Sequence, residues 1–436
     1  MKLEDLIIVS VDDHVVEPPD MFKKHMPKEL LDKAPRSETI ADGSNRWVYE
    51  DRVVAQMGLN AVVGRVQEEY GMEPNSYSQM RAGAWDIKAR VEDMNVNGIL
   101  GSICFGSFVY FDGGFFLPSK DKALTYRVIQ AYNDWHIDEW SGSAPGRFIP
   151  LSILPLWDVN LCVEEVKRVA AKGCHTVTFP DNPAVKGLPS IHDEVWEPFW
   201  RVCAENKVVI STHIGTGSAP PFASKDSPIA AWITSMPMAI SNSAADWLYL
   251  SALRRYPDLT ISLAEGGIGW IPYLLERADF THGHHGKWTN SELGGRTPSE
   301  VFRDHFLSCF IVDKFGIENR HAVGIDTICY ECDYPHSDCV WPLAPEILFD
   351  SLGGVPDEEI NKMTHLNAMR RFSYDPFKIL GRKNCTVGAL RAQAVHVDTA
   401  PRSFGGGRPV EVNSTKRVTA ADVERMMAAN EGKSAA

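Results

Sequence analysis

The chain has 436 residues, of which 44% are hydrophobic and 23% charged, and its formal net charge is −13. This composition is typical of a globular protein with a large apolar core. The acidic charge, without a basic block, disfavours nucleic acid and anionic membranes as the main partners. Nine scattered cysteines predict free thiols in a reducing cytoplasm. Neither a signal peptide nor a membrane span is expected, because the apolar runs are too short.

Apolar runs with strand character alternate with helical patterns along most of the chain. We predict strands at 6–12, 98–104, 148–154, 174–179, 207–213, 259–265, 306–312 and 322–333. We predict helices at 125–140, 159–172, 193–206, 244–256, 270–280 and 356–372. Eight strands with intervening helices predict an α/β fold, a closed parallel (β/α)8 TIM barrel. The runs are almost entirely apolar, as expected for strands that are covered on both faces.

Two regions exceed a minimal barrel, which we place at residues 1–377. Residues 15–97 follow the first strand and are expected over the barrel mouth, where their aromatic side chains either line a pocket for an apolar substrate or pack the insertion on the barrel: Trp47, Tyr49, Tyr70, Tyr77 and Trp85. Residues 378–436 are polar and glycine-rich, and we expect an extended arm with a short helix at 420–430. Such an arm predicts a homodimer or a higher homo-oligomer.

Side chains suited to metal binding stand at four predicted strand ends. Asp12 and His14 are two residues apart on the first strand, so they project to the same side. His213, Glu265 and Asp333 end the fifth, sixth and eighth strands. The carboxyl ends of barrel strands meet at one rim, where active sites lie. Carboxylate and imidazole ligands suit a divalent ion, and the sequence therefore predicts one shared metal site.

Further candidates lie near these ligands. Glu331 is on the same strand face as Asp333, and it either belongs to the metal surroundings or pairs with a neighbouring cation. His336 and Asp338 follow Asp333 closely and are expected to orient the rim loop or to touch substrate. His175 opens the fourth strand, nearer the opposite end of the barrel, and is a further candidate only if its side chain points into the barrel towards the metal surroundings or the substrate. A further cluster follows the helix at 270–280 and is expected in a loop or interface at that opposite end: His282, His284 and His285.

Seven short motifs give the chain a resemblance to a known family. They are VDDHVVEP at 11–18, YNDW at 132–135, GRF at 146–148, THIG at 212–215, EGG at 265–267, DYPHSD at 333–338 and NA at 367–368. With them the chain resembles the amidohydrolase-related branch of the metal-dependent hydrolase superfamily. That branch includes aminocarboxymuconate semialdehyde decarboxylase and the resorcylate and carboxyvanillate decarboxylases.

The resemblance implies a ligand set for the metal. The first-strand pair of the family matches Asp12 and His14, its fifth-strand histidine matches His213, and its eighth-strand aspartate matches Asp333, which in the family often also handles a proton. Many members carry a histidine after strand six, where this chain has Glu265. This departure adds an anionic oxygen donor, which favours a second metal or a different chemistry.

The leading functional hypothesis is a metal-dependent hydrolase or decarboxylase that acts on a small carboxylated or cyclic organic compound. It would use one or two divalent ions, zinc, manganese or iron, with Asp333 as proton shuttle and Glu265 as a second catalytic group. The carboxylate-rich ligand set leaves a non-haem iron oxygenase on the same scaffold as an alternative. A non-catalytic metal-binding barrel is a third hypothesis. Serine nucleophile elbow, Walker A and His-Glu-x-x-His patterns are missing from the sequence.

Overall fold

A computed structural model describes residues 1–54, 57–71, 74–217, 222–405 and 417–425. Within these ranges the strands β1 to β10 are, in chain order, Val9–Val15, Arg36–Thr39, Asn45–Tyr49, Arg52–Val54, Gly101–Gly106, Thr176–Thr178, Val209–His213, Ile261–Ala264, Phe306–Phe310 and Ile328–Tyr330. Seven of them form one sheet in the order β5-β1-β10-β9-β8-β7-β6. All neighbours in this sheet are parallel.

The segment at 148–152 joins the two edges of this sheet. Phe148 bridges Ser102 of β5, and Ser152 bridges Val177 of β6, both in parallel orientation. The segment therefore occupies the position of the eighth barrel strand, although its pairing is limited to isolated bridges. The predicted TIM barrel is confirmed, and its core-facing strands are fully buried.

The helices α1 to α17 surround the barrel and cover its ends. In chain order they are Met21–His25, Ile87–Val96, Lys122–Asp134, Val159–Ala171, Glu197–Glu205, Ile229–Ser235, Ile240–Trp247, Ala252–Arg255, Ile271–Thr289, Pro298–His305, Lys314–Glu318, Arg320–Val323, Ala344–Ser351, Asp357–Asn361, Asn367–Arg371, Pro376–Leu380 and Val387–Arg391. Two π-helical turns, Trp135–Ser141 and Lys362–Leu366, continue α3 and join α14 to α15. No helix of the described residues is long and apolar enough to cross a membrane.

Two sequence predictions about element ends are wrong. The last barrel strand does not begin at residue 322, because α12 and the 3₁₀ turn Ile325–Thr327 precede β10, with Gly324 at a φ of 117° between them. The helix predicted at 270–280 continues as α9 to Thr289. It ends at Asn290, whose left-handed backbone closes the last turn. The cluster predicted for a loop therefore lies on the final turns of this helix: His282, His284 and His285.

The insertion after β1 contains the antiparallel sheet β2-β3-β4. Trp47 of β3 stacks on Phe108 at 4.8 Å between ring centroids, and both rings are buried. Farther along the insertion, the backbone N–H of Val63 donates to the carbonyl of Pro335 at 3.0 Å. The insertion thus packs against the loop that follows β10, at the carboxyl end of the barrel strands.

The prediction of an extended C-terminal arm is wrong for its first part. Residues 376–391 include α16 and α17, and the N–H of Val387 donates to the carbonyl of Leu6 at 2.8 Å. Val387 and Leu390 are buried, and Arg391 pairs with Glu346 of α13. This stretch therefore packs on its own barrel. Residues 420–425 are helical as predicted, whereas 426–430 lie outside the described residues. The homo-oligomer stays a prediction.

Candidate metal centre

Asp12 and His14 lie on the same side of β1 because they are two residues apart along the strand. The register between β1 and β5 shifts between Ser10 and Asp13. A local irregularity of this kind re-aims side chains and is frequent beside active sites. Asp12 and His14 both point into the carboxyl-end rim, with no exposed side-chain surface. Asp13 turns away, where it accepts hydrogen bonds from Ser102 and from the backbone of Tyr334.

Four side chains from three strand ends meet at this rim. The Nε2 atom of His213 lies 3.4 Å from Oδ2 of Asp12, 3.2 Å from Oε2 of Glu265 and 3.3 Å from Nε2 of His14. One donor atom from each of the four residues lies within 4.8 Å of all the others. Metal–ligand bonds are about 2.0–2.6 Å long, so donor atoms at such separations can share one ion.

A second group overlaps the first through His14. Oδ1 of Asp333 lies 3.1 Å from Nε2 of His14 and 2.9 Å from Nδ1 of His336. The rings of His14 and His336 stack at 3.8 Å between centroids. The backbone fixes this arrangement, because the N–H of Asp333 donates to the carbonyl of Asp12 and the N–H of His14 donates to the carbonyl of Tyr334. The loop after β10 thus extends the pairing of β1.

Several carboxylates lie close together at this rim. Burial, together with Glu331, Asp333 and Glu265, raises the pKa of Asp12 well above its ordinary value. Burial and the neighbouring carboxylates likewise raise the pKa of Glu265. Both oxygens of Asp12 and both of Asp333 are buried and accept no hydrogen bond of good geometry. Buried charges are normally paired or bound to metals, so this donor set fits a divalent cation.

Two of the histidines, His14 and His213, are neutral in this environment. Burial lowers the pKa of His213 to about 4, and burial and His336 lower the pKa of His14 well below its ordinary value. The Nδ1 atom of His213 lies 2.6 Å from the carbonyl of Ile214, to which an Nδ1–H would donate. That hydrogen bond leaves the lone pair of Nε2 directed at the carboxylates, which is the usual arrangement for a metal-binding histidine.

Asp333 differs from the other carboxylates. Burial raises its pKa, but the neighbouring His336 and His14 outweigh burial and hold the pKa below its ordinary value. Asp333 is therefore ionised at neutral pH, with its Oδ1 beside the two histidines.

The remaining predicted candidates take three different places. Glu331 lies beneath the ligands: its Oε2 accepts from the N–H of Glu265 at 3.0 Å and from Sγ of Cys309 at 2.7 Å, and burial raises its pKa to about 8. Asp338 is exposed on the rim loop, and its charge adds to those that raise the pKa of Glu265. His175 lies outside the site. It precedes β6 and its Nδ1 lies 3.1 Å from the carbonyl of Asn206, at the opposite barrel end.

Two neighbours of the site were not singled out from the sequence. The ring of Phe111, after β5, lies 4.7 Å from that of His14 and 4.4 Å from that of His213. Arg90 is buried and donates to the carbonyl of His14, and its guanidinium lies 4.2 Å from the ring of Tyr334. Phe111 has a φ of 60°, a loop conformation without a sequence signal in this segment. A lone arginine in an amphipathic helix is normally read as a surface charge.

This chain combines a parallel barrel with histidines and carboxylates at the carboxyl ends of the strands. That combination is typical of a class of metal-binding barrel proteins. A family model described as Amidohydrolase matches residues 40–373. The chain belongs to this amidohydrolase family, as the motifs in its sequence predicted.

Individual relatives and solved structures are distant in sequence. The chain is 21% identical over 313 residues to a 2-amino-3-carboxymuconate-6-semialdehyde decarboxylase of Dictyostelium discoideum, with 70% of this chain and 81% of that protein covered. An amidohydrolase of Mycobacterium avium subsp. paratuberculosis has a TM-score of 0.63 at 20% identity, with 84% of this chain and 99% of that chain covered. A 5-carboxyvanillate decarboxylase of Sphingomonas paucimobilis has a TM-score of 0.56 at 18% identity, with 85% and 100% covered. The two structures support the fold.

Proposed function

We propose that this chain is a metal-dependent enzyme that decarboxylates or hydrolyses a small carboxylated aromatic or cyclic compound. The observation that carries the proposal is the meeting of Asp12, His14, His213, Glu265 and Asp333 at one buried rim. The printed activities of the relatives support the same class, since a curated relative and a similar structure are both decarboxylases of carboxylated compounds.

A divalent ion fits the donor set because four carboxylate oxygens there are buried and accept no hydrogen bond. Asp12, His14, His213 and Glu265 would hold it, with Asp333 and His336 at its edge. When bound, it would act as a Lewis acid on a carboxylate, a phenolate or water. Manganese or iron suits this oxygen-rich set at least as well as zinc. A dihydroxybenzoic acid decarboxylase structure from a Polaromonas species, with a TM-score of 0.51 and 19% identity, contains manganese and the inhibitor 2-nitroresorcinol.

Asp333 is proposed to move the proton of the reaction. It is ionised, it ends in two oxygens without a good hydrogen bond, and His336 lies 2.9 Å from it as a partner that can share the proton. In a decarboxylation Asp333 would accept a proton from the substrate hydroxyl or return one to the carbon that loses CO2. In a hydrolysis it would accept the proton of the attacking water. Both reactions need the same group at the same place.

A second candidate function is an iron-dependent oxygenase. The observation that favours it is the size of the donor set, since three histidines and three carboxylates surround the rim in two overlapping groups. That number exceeds the three protein ligands of a typical catalytic zinc. It would accommodate two ions, and iron with an open position can activate dioxygen.

The test is elemental analysis of protein purified without added metal, followed by two assays. We expect about one or two equivalents of manganese, iron or zinc, and release of CO2 or hydrolysis product from a panel of hydroxylated and carboxylated aromatic acids. Substrate-dependent oxygen uptake by the iron-loaded enzyme, without CO2 release or hydrolysis, would replace the first proposal with the second. Protein without bound metal that also takes up none from solution would overturn both.

A further inference from the structure

Two cysteines bracket the loop that carries Asp333 and His336. The Sγ atoms of Cys332 and Cys339 lie 3.5 Å apart, close enough for a hydrogen bond between the thiols. Cys332 directly precedes Asp333, and the N–H of Cys339 donates to the carbonyl of His336. A change at either sulfur is therefore transmitted directly to the two residues at the edge of the metal centre.

The nine cysteines differ in their exposure. All are free thiols, and eight are buried, whereas Cys339 is partly exposed. Thiol oxidation depends on access as well as on thiolate character. Cys339 is therefore the cysteine that a dissolved oxidant reaches first, and Cys332 lies behind it as the thiol in position to react next. A reactive cysteine beside a resolving cysteine is the usual arrangement of a redox-sensitive pair.

We propose that Cys339 and Cys332 form a reversible disulfide that weakens metal binding at the adjacent rim. The oxidant is a low-molecular-weight disulfide. The Cys339 thiolate attacks it, a mixed disulfide forms and one thiol leaves. The Cys332 thiolate then attacks Sγ of Cys339, the second thiol leaves, and the protein disulfide remains. Two protein thiols are oxidised, one small disulfide is reduced to two thiols, and the protons of the protein thiols pass to the leaving thiolates.

Closing this bond requires movement at the metal centre. A disulfide is about 2.05 Å long, so the two sulfurs must approach by about 1.5 Å. Cys332 is restrained by Asn97, whose side chain donates to its sulfur, and by Ser10, whose hydroxyl accepts its backbone N–H. The shift is therefore shared with the segment from Asp333 to His336. Loss of support around metal ligands typically lowers affinity about 10–100-fold, and we expect a loss in this range.

The experiment uses full-length, metal-free protein treated with oxidised glutathione, with peptide mass spectrometry and Mn²⁺ titration as readouts. We expect a 332–339 disulfide, Mn²⁺ binding weakened at least tenfold, and recovery of both with dithiothreitol. Cys339→Ser should keep its Mn²⁺ affinity under oxidant. Cys385→Ser, which removes a buried thiol at the other end of the barrel, should respond like wild type.

Three results would overturn the proposal: a stable glutathione adduct on Cys339, no reaction at this pair in folded protein, or a disulfide that leaves Mn²⁺ affinity unchanged. The effect on metal binding rests on the proposed function, whereas formation of the disulfide does not. If the reduced protein binds no Mn²⁺ or other divalent ion, the proposed metal site fails, and peptide mapping still decides whether the thiols react as a pair.

Discussion

Replacement of Asp12 by asparagine should stabilise the metal-free protein and weaken its response to metal. In the metal-free state Asp12 is buried among carboxylates, and its pKa is raised. A group with a raised folded-state pKa contributes stability that is complete below its unfolded pKa, near 4, and is lost as the pH rises. Asparagine has no proton to lose, so the variant gains on wild type as the pH rises from about 4 to 7.

Two changes in melting temperature are expected, one in the metal-free protein and one on metal binding. Burying a polar group without a compensating hydrogen bond costs about 1–3 kcal/mol in protein mutational data, and we take this range for the penalty that Asp12 imposes. The unfolding entropy of 436 residues is about 0.9 kcal/mol per kelvin, so the metal-free variant should melt about 1–3 °C above wild type at pH 7. Metal at 100 times its Kd stabilises the wild type by about 2.7 kcal/mol, or about 3 °C. The variant lacks one charged candidate ligand, so the same metal concentration should raise its melting temperature by less.

The assay is calorimetry at pH 7 of both proteins, with chelator and with excess Mn²⁺. The matched control is Asp13→Asn on the other side of β1, where Asp13 accepts hydrogen bonds from Ser102 and Tyr334 and lies near Arg90. Burial raises the pKa of Asp13 to about 6, so this variant should also gain on wild type as the pH rises from about 4 to 7, but it should keep the full metal-induced shift. A metal-free Asp12→Asn protein that melts below wild type, or one with an undiminished metal shift, would refute the reasoning about uncompensated charge.

Three further variants test other parts of the argument. Asp333→Asn should lower turnover about 10²–10⁴-fold at saturating metal, with unchanged near-UV circular dichroism; a rate within fivefold of wild type would exclude it as the proton-transfer group. Phe111→Ala should raise KM for an aromatic substrate about 2- to 10-fold, because a ring contact is worth about 0.5–1.5 kcal/mol, and an equal loss with an aliphatic substrate would contradict a stacking role. Burial raises the pKa of Glu17 to about 7, so the contribution of Glu17 to stability is complete below pH 4.5 and is lost as the pH rises through 7. In urea titrations at pH 5 and 8, Glu17→Gln should remove that decline in the free energy of unfolding. An equal decline in wild type and variant would contradict the raised pKa of Glu17.

The fold could be predicted from the sequence where a single physical rule determines the structure. Covered parallel strands must be apolar, so their number and order were readable, and the barrel was predicted. Element ends were predicted less well, because they depend on local backbone geometry. The helix at 271–289 passes through Gly283 and Gly286 and ends only where Asn290 adopts a left-handed conformation. The polar C-terminal stretch contains Val387 and Leu390, whose burial depends on tertiary contacts with the barrel end.

The candidate ligands were predicted because they combine a chemical type with a position at a strand end. The same reasoning could not find Phe111 or Arg90, whose roles depend on which side chains face them across the fold. It also kept His175 among the candidates, because a histidine near the start of a barrel strand can still point into the barrel. The direction of β6 and the contact with Asn206 separate the two cases.

The backbone at two of the candidate ligands connects the fold to the proposed chemistry. Glu265 and Asp333 have φ values of 55° and 57°, in the left-handed region that costs side chains other than glycine and asparagine about 1–3 kcal/mol. Each follows a barrel strand that can no longer continue, and each turns its carboxylate toward histidines of other strands. Glycine would relieve the strain at either position but would remove a negative charge from the rim. Two acidic residues with this backbone conformation at one buried rim are a cost to folding, and this cost is consistent with the divalent cation proposed for the site.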